Sequence, residues 1–414
     1  MSNKTFSKKG EETKKKIINS AIKIFKENGF NNSSVLKIAD VVGLKNSTLY
    51  RYFKNKKDLY NFIIRDFEEK LIKRINDNLK NYDDIEKKIE IFIREYIDFV
   101  KENKDIFDIF REAEFVNIDL SREFYDKIAK ILEDILKEKI SNDNVEILSY
   151  SIIGSYYFII LNYLFWEEKE IDDEKITSIL KFIFNGIDKR GDFKPYLLKE
   201  KEFNGDQNKK EFSKKSERTK EIILKSSEKL FGKKGYSNTH ISEIARVSKV
   251  GIGTIYKYFE NKKEILKEVV RFINKSLRDY TNIYIKDYSD RRDIENAGFQ
   301  AFFYLFKNFG FRYRIVRESE FIDKDTGVWY YKRLAGAYTK RLTEGIEKGI
   351  IIDINPEVLS YSLMGVGHTI GMKEFVFKKN GEIDKNSVFA VLNFIMHGLN
   401  KFLVGGKNEQ YWII

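Results

Sequence analysis

The sequence predicts an all-α protein made of two tandem units, each with an N-terminal helix-turn-helix domain and a C-terminal helical effector and dimerisation domain. Three observations support this fold class. Only two prolines, Pro195 and Pro356, interrupt a chain that is rich in Ile, Leu, Phe, Glu and Lys, and this composition favours long helices. The length of 414 residues exceeds the usual size of a single hydrophobic core. The third observation is an internal repeat.

The repeat covers almost the whole chain. Residues 13–60 align with residues 219–266 without a gap, and 18 of these 48 positions are identical. Shorter matches continue downstream: REAEF at 111–115 with RESEF at 317–321, LSYSIIG at 148–154 with LSYSLMG at 359–365, and KFIFNGI at 181–187 with NFIMHGL at 393–399. This period is far too long for a solenoid. The pattern therefore indicates duplication of a complete two-domain unit.

The duplication divides the chain into five parts. We assign 1–60 to the first helix-turn-helix domain, 61–190 to the first effector domain, 191–215 to a linker, 216–266 to the second helix-turn-helix domain and 267–414 to the second effector domain. The linker is charged and has little apolar periodicity. We therefore expect it to act as a tether, with local packing of FKPYLL at 193–198 left open.

The first helix-turn-helix is predicted from local signals. Apolar residues at helical spacing indicate a first helix that Gly29 ends. Ser33, like Thr239 in the second copy, is expected to cap the next helix. Gly43 then allows a tight turn before a short helix with polar and basic side chains. In a helix-turn-helix this last helix enters the major groove of DNA.

These residues carry a family resemblance. IADVVGLKNSTLYRYFKNKKDL, preceded by IINSAIKIFKENG, resembles the DNA-binding domain of TetR-type bacterial transcription regulators, and IILKSSEKLFGKKGYSNTHISEIARVSKVGIGTIYKYFENKKEI resembles another. The resemblance implies a double-stranded DNA operator as the partner. It also implies a variable helical effector domain in the rest of each copy, with the last two helices forming a four-helix dimer bundle.

Charge supports DNA binding independently of the resemblance. Residues 1–60 contain 14 Lys and Arg against 5 Asp and Glu, and residues 209–275 contain 18 against 8. The whole chain has a net charge of only +12, so the remainder is acidic. Positive charge is therefore concentrated where phosphates must be neutralised.

The candidate DNA-binding residues of the first copy fall into two groups. Four lie early on the recognition helix, where side chains meet base edges: Lys45, Asn46, Thr48 and Arg51. Three others are expected to contact phosphates: Ser47, Tyr50 and Lys56.

The second copy departs from this pattern. Lys249 replaces the turn glycine, and Gly251 and Ile252 replace Lys45 and Asn46. The candidate DNA-binding residues here are Gly251, Ile252, Gly253, Thr254, Tyr256, Lys257 and Lys262. Isoleucine offers only apolar contact to a thymine methyl group. We therefore hypothesise that the two domains prefer different half-sites and that the second discriminates less.

The last two helices of each copy are expected to pair within the chain. These are 146–166 with 175–188, against 357–377 with 387–403. The resulting intrachain pseudo-dimer would present two DNA-binding domains from one polypeptide. The sequence leaves open the alternative that two chains also pair as a homodimer.

The effector domains are expected to bind a small apolar ligand. Aromatic clusters suggest a pocket, and the candidate lining residues are Phe110, Glu114, Tyr125, Tyr157, Trp166, Glu320, Tyr331 and His368. The alternative is that these aromatics fill the core. The charged residues of REAEF and RESEF suggest an internal salt-bridge set.

Three functions stay open for the effector part. WYYKRLAGAYTKRLTEGIEKGII followed by LMGVGHTIG resembles regulators of fatty-acid metabolism, which implies a repressor released by a fatty acid or acyl-CoA. The alternatives are a multidrug-sensing repressor of an efflux gene, with Glu114 or Glu320 facing a cation, and an architectural DNA-binding protein without an effector.

Several classes are excluded or disfavoured by composition. The chain has no cysteine, and its three histidines, His240, His368 and His397, lack metal-ligand spacing. It shows no nucleotide-binding or hydrolase motif, so we expect neither a cofactor nor enzymatic activity. The N-terminus lacks a signal peptide, which predicts a cytoplasmic protein. Residues 147–166 are long and uncharged enough for a membrane span, but we expect a buried helix there.

Overall fold

The computed structural model describes residues 7–140, 144–201, 215–378 and 381–403. The second part of the predicted linker and the C-terminal end of the chain lie outside these ranges. The described residues form helices, and their one β-type pairing is an isolated bridge between Asp188 and Ile351. The predicted all-α class is confirmed. The chain divides into two compact units, Met1–Glu138 and Lys139–Ile414.

The first unit contains the DNA-binding domain of the first copy and part of its effector domain. Its helices are α1 (Lys8–Asn28), α2 (Val35–Val42), α3 (Asn46–Leu49), α4 (Lys56–Leu79), α5 (Ile85–Glu102), α6 (Lys104–Val116) and α7 (Ile118–Leu136). The boundary between the units falls inside the range that we assigned to the first effector domain, so the five-part division remains a prediction.

The second unit contains the last two helices of the first copy and the entire second copy. Its helices are α8 (Val145–Ile160, extended by a π turn Leu161–Trp166), α9 (Asp173–Asn185), α10 (Lys215–Lys234), α11 (Ile241–Ser248), α12 (Ile252–Tyr256), α13 (Lys262–Ile285), α14 (Arg291–Ile322), α15 (Lys324–Glu347), α16 (Pro356–Gly371, extended by a π turn Met372–Phe377), α17 (Lys385–His397) and α18 (Asn400–Leu403).

The helix α14 corresponds to two helices of the first copy. Phe309 has non-helical dihedral angles, φ −136° and ψ 32°, and marks a kink inside α14. At the equivalent position Asn103, with φ −123° and ψ 35°, separates α5 from α6. The same backbone break therefore occurs in both copies.

The helices α8 and α16 pack closely through a glycine pair. A Cβ atom added to Gly365 would lie 2.0 Å from the carbonyl oxygen of Gly154, and one added to Gly154 would lie 2.6 Å from the carbonyl oxygen of Gly365. Hydroxyl groups join the same helices, because Ser362 donates to the carbonyl of Ser155 at 2.8 Å. The packing agrees with the helix pairing expected from the sequence.

The helices α9 and α17 add reciprocal contacts. The Ile187 N–H donates to the Ile395 carbonyl at 2.9 Å, and the Leu399 N–H donates to the Ile183 carbonyl at 2.8 Å. Residues 187 and 399 occupy equivalent positions in the repeat, as do 183 and 395. Each copy therefore offers the other the same bond, which is the signature of a two-fold interface.

The apolar helix at the centre of this bundle is buried. Val145–Trp166 is the one helix among the described residues that is long and apolar enough to cross a bilayer, and its apolar window is 100% buried inside the protein. Such burial is typical of a core helix. The structure therefore agrees with the expectation of a buried helix.

The first part of the predicted linker is docked on the second copy. Residues 193–201, which we call the strap, run along α14 without forming a helix. The buried side-chain amides of Asn296 and Gln300 donate to the Tyr196 carbonyl at 3.0 and 2.9 Å. Gln300 also accepts from the Leu198 N–H at 2.7 Å, and the Tyr304 hydroxyl donates to the Leu198 carbonyl at 2.6 Å. These contacts agree with the local packing that the sequence allows for FKPYLL at 193–198.

Candidate DNA interface and ligand cavity

The first helix-turn-helix is held by a glycine turn and two buried anchors. Gly43 ends α2 in the left-handed region, with φ 71° and ψ 32°, which glycine adopts without a steric cost. Leu49 and Phe53 are buried and fix α3 on the domain. Of the seven residues predicted to contact DNA from this domain, Lys45, Ser47, Tyr50 and Arg51 are exposed, and Asn46, Thr48 and Lys56 are half-buried.

The second helix-turn-helix has the same frame with a different turn. Lys249 adopts the left-handed conformation, with φ 55° and ψ 39°, where a Cβ atom costs roughly 1–2 kcal/mol. Ile255 and Phe259 are the buried anchors. The predicted contact residues Gly251, Ile252, Gly253, Tyr256 and Lys257 are exposed, and Thr254 and Lys262 are half-buried.

The N-caps of the helices α2 and α11 differ from the prediction. Ser34, not Ser33, accepts the Lys37 N–H at 3.1 Å, and His240, not Thr239, occupies the N-cap of α11. The Thr239 hydroxyl instead donates to the Gly235 carbonyl at 2.8 Å. The predicted caps lie one residue too early because their hydroxyls close the preceding turn.

Lys56 and Lys262 perform a structural role that the sequence did not suggest. The Lys56 ammonium donates to the carbonyls of Phe30 and Ser33 at 2.6 and 2.8 Å. The Lys262 ammonium bonds the equivalent carbonyls of Tyr236 and Thr239 at 2.9 and 2.8 Å. Burial lowers the pKa of both lysines below the usual value. With two of three donors already used, these side chains hold the turn before α2 or α11, and their predicted contact with a phosphate remains untested.

A cavity of about 440 Å³ lies within the second unit, between α13, α14, α15 and α16. Its walls are mostly apolar and aromatic, and they include Leu277, Phe299, Phe302, Tyr330 and Leu363. This volume falls within the usual range for small-molecule sites, about 300–1,000 Å³. The second copy therefore contains a cavity with the size and apolar lining that are typical of small-molecule sites.

The charges that line this cavity are unevenly paired. Arg291 is buried and forms an ion pair with Glu295, which also accepts a hydrogen bond from the Tyr338 hydroxyl. Arg278 and Arg341 also line the cavity but are exposed, and neither has a carboxylate partner within the described ranges. Asp279, the other lining carboxylate, pairs with Lys275, so the lining charges without an ion-pair partner are positive.

Five of the predicted ligand residues lie at or beside this cavity. Tyr331 lines it directly. Tyr157 stacks on His368 with ring centroids 4.7 Å apart, and Nδ1 of His368 is 2.6 Å from the hydroxyl of Tyr313, a lining residue. Trp166 stacks on Tyr331 and donates to Glu320 at 2.8 Å. These side chains back the wall of the cavity.

The other three predicted ligand residues lie in the first unit. Phe110 and Tyr125 belong to a packed aromatic cluster, in which the rings of Phe110 and Phe124 are 4.0 Å apart. Glu114 is half-buried on α6. Phe110 and Tyr125 are packed as in the alternative in which aromatics fill a core, and ligand contact by these three residues stays a prediction.

Sequence reasoning missed the two arginines at the cavity. They lie on the helices α13 and α15 among other exposed basic residues, and no local pattern distinguishes Arg278 or Arg341 from its neighbours. Among the described residues there is also no group of three or more His, Asp or Glu side chains that could hold a metal ion.

Comparison with known proteins decides the family. The model for bacterial regulatory proteins of the tetR family matches the chain twice, at residues 17–62 and 223–269. The chain is a TetR-type regulator in two tandem copies.

Relatives match one copy at a time. The Fatty acid metabolism regulator protein of Bacillus subtilis is 25% identical over 182 residues, which cover 41% of this TetR-type regulator and 93% of that protein. The HTH-type transcriptional regulator YhgD of the same organism is 23% identical over 186 residues, with coverage of 44% and 96%. A solved structure of the transcriptional regulator FadR from Bacillus subtilis in complex with stearoyl-CoA is 22% identical, covers 41% of this chain and 96% of that chain, and has a TM-score of 0.35.

In this TetR-type regulator a glutamate joins each DNA-binding domain to a helix of the same copy, α6 in the first and α14 in the second. Glu318 of α14 accepts the Tyr236 N–H at 3.2 Å, and Glu112 of α6 accepts the Phe30 N–H at 2.9 Å. Burial raises the pKa of both carboxyls above the usual value. The first glutamate of REAEF and of RESEF thus accepts hydrogen bonds from the backbone of the domain, a use that the predicted salt-bridge set did not include.

Proposed function

We propose that this regulator is a cytoplasmic repressor whose two helix-turn-helix domains bind one operator and are released by an anionic amphiphile. The observation that carries the proposal is the cavity of the second copy, which has apolar walls and two arginines without carboxylate partners. The same helix α14 lines this cavity and bonds the second DNA-binding domain through Glu318. A ligand that prefers one arrangement of α14 would shift DNA affinity by its differential affinity for the two states.

The intrachain bundle supports a chain that works as a pseudo-dimer. Helix-turn-helix dimers bind half-sites about 34 Å apart or a multiple of that distance. The reciprocal bonds of α9 and α17 and the glycine contact of α8 and α16 join the two copies as subunits are joined in a dimer. A single chain then supplies both DNA-binding domains. Light scattering of the operator complex distinguishes one chain from two.

The two DNA-binding domains would recognise different half-sites. Arg51 is exposed on the first domain, and Arg can bond guanine through two donors. In the second domain Ile252 occupies the position equivalent to Asn46. Its side chain is 48% exposed and supplies only apolar surface. The operator is therefore expected to be asymmetric.

Replacing Arg51 with alanine is expected to relax base choice in one half-site only. Loss of a good bidentate contact costs roughly 1–3 kcal/mol of discrimination. Selection of bound duplexes from a random pool measures this for the wild type and for Arg51→Ala. Lys257→Ala is the matched control in the second domain and should alter the other half-site. Unchanged selectivity of Arg51→Ala would contradict its place as a base-contacting residue.

The free charge at the cavity favours an anionic ligand over a cationic drug. The carboxylate of Glu295 is already paired with Arg291, and Glu320 already accepts from Trp166. A cation would find aromatic rings but no free carboxylate among these residues, whereas an anion would find Arg278 and Arg341. The similarity to a fatty acid metabolism regulator supports a fatty acid or acyl-CoA. The multidrug alternative is less well supported.

Replacing Gly298 with phenylalanine is expected to abolish the ligand response. Gly298 lines the cavity, and a Cβ atom added there meets nothing within 4 Å, so a large side chain would project into free space. Palmitate and palmitoyl-CoA should weaken operator binding of the wild type at least about tenfold but should leave Gly298→Phe bound. Fluorescence anisotropy with labelled operator measures both.

Gly298→Ala is the control, because it adds a methyl group without filling the cavity and should respond like the wild type. If neither probe raises the melting temperature of the wild type nor releases the operator, the architectural alternative without an effector gains support. If tetraphenylphosphonium releases the operator and palmitoyl-CoA does not, the multidrug alternative is correct.

A further inference from the structure

The two helix-turn-helix domains distribute their positive charge differently. The first has Asp40 and Gly43 at the end of α2 and in the turn, where the second has Arg246 and Lys249. The first recognition helix begins with a polar pair, Lys45 and Asn46. The second has Gly251 and Ile252 at these positions. Compared with the first domain, the second therefore has one basic side chain fewer at the start of the recognition helix and two more at the end of α11 and in the turn.

The turn of the second domain keeps a lysine where the backbone favours glycine. Only Glu168 and Lys249 have a positive φ among the non-glycine residues described. The Lys249 N–H closes α11 on the carbonyls of Ala245 and Arg246, so its conformation is part of the motif. Strained residues that persist are concentrated at functional sites. This position therefore calls for a role for the side chain itself.

The Lys249 side chain is available for an external partner. It is exposed and has no ion pair, hydrogen bond or ring contact of its side chain within the described residues, and the same holds for Arg246. By contrast, the Lys262 ammonium, the phosphate contact predicted from the sequence, is held by two carbonyls of its own domain. The second domain thus has two free cations before the recognition helix, Arg246 six residues and Lys249 three residues ahead of the start of α12.

We infer that Lys249 is a phosphate-contacting residue that positions the second helix-turn-helix on the DNA backbone. The inference rests on the proposed DNA-binding function. A contact of this kind carries no sequence information. It would compensate in affinity for the polar pair that the second recognition helix lacks. The second domain would then hold the duplex mainly through phosphates, and most base discrimination would fall on the first domain.

Replacing Lys249 with glycine is expected to change stability and DNA binding in opposite directions. The melting temperature of the full chain should rise, because glycine relieves the strained turn. Operator affinity should fall, and the slope of log affinity against log salt should become shallower by about 0.9, the value for one lost phosphate contact. Differential scanning fluorimetry and salt-dependent fluorescence anisotropy measure the two effects on the same preparation.

Two further variants separate the effect of the Lys249 charge on DNA binding from the effect of the backbone conformation at this position. Lys249→Asn tolerates the left-handed conformation but removes the charge, so its salt slope should match that of Lys249→Gly. Lys249→Arg keeps the charge and should retain the wild-type slope. If Lys249→Gly keeps the affinity and slope of a wild type that does bind DNA, the inference is overturned and the proposed function stands. If the wild type binds no duplex even at low salt, both are overturned.

Discussion

Replacing Gly365 with valine is expected to separate α8 from α16 and to destabilise the whole second unit. The Cβ atom would lie 2.0 Å from the carbonyl oxygen of Gly154, and a backbone atom cannot move away as a flexible side chain can. The two helices must then part along faces that are buried over most of their length. We expect a loss of about 3 kcal/mol or more, which denaturant unfolding of the full chain measures.

Gly336→Ala is the matched control on another helix. Gly336 lies on α15, and a Cβ atom there meets nothing within 4 Å. This substitution should stabilise the chain by roughly 0.5–1 kcal/mol, since alanine suits a helix interior better than glycine. If the denaturant midpoint of Gly365→Val equals that of the wild type, the close approach of α8 and α16 is not present in solution.

Replacing Glu318 with alanine is expected to uncouple the ligand cavity from the second DNA-binding domain. The side chain links α14, which lines the cavity, to the backbone between α10 and α11. Without it the Tyr236 N–H loses its acceptor, which costs about 1–3 kcal/mol when the group is buried. Palmitoyl-CoA should still raise the melting temperature of the variant, but operator release should be markedly weaker than in the wild type.

Glu318→Gln provides the control and a test of pH dependence. Glutamine keeps an acceptor oxygen, so operator release should be preserved. Burial raises the pKa of Glu318, so ionisation of this carboxyl costs stability as the pH rises from its unfolded to its folded pKa. Glu318→Gln should therefore gain stability relative to the wild type at neutral pH and lose that gain in acid. If Glu318→Ala releases the operator as readily as the wild type, the cavity and the DNA-binding domain are coupled by another route.

Local signals were sufficient to predict the helix-turn-helix domains. Gly43 and the apolar anchors Leu49 and Phe53 act within a few residues of one another, and the repeat doubles the signal. The helix pairing followed from the repeat as well, because equivalent glycines at 154 and 365 mark a close approach. These features depend on sequence neighbours or on symmetry.

Features that depend on distant partners were not predicted. The role of Lys56 depends on carbonyls at residues 30 and 33, and that of Glu112 on the N–H of Phe30, 82 residues away. The ligand residues Phe110 and Tyr125 were chosen by composition, which cannot distinguish a packed ring from the wall of a cavity. In the same way, the apolar residues of FKPYLL at 193–198 allow local packing, but they do not indicate that amides about 100 positions later bind this backbone.

The docked strap makes the two halves of this molecule non-interchangeable. Where α14 holds the strap with Asn296, Gln300 and Tyr304, the first copy has Glu90, Arg94 and Asp98, and its Glu90 pairs with Arg94 instead. A second half produced alone would expose the groove that Leu198 fills beside Tyr280 and Ala301. Two identical second halves could not restore that cover for each other. The second half therefore depends on residues that precede its own DNA-binding domain to cover its apolar surface.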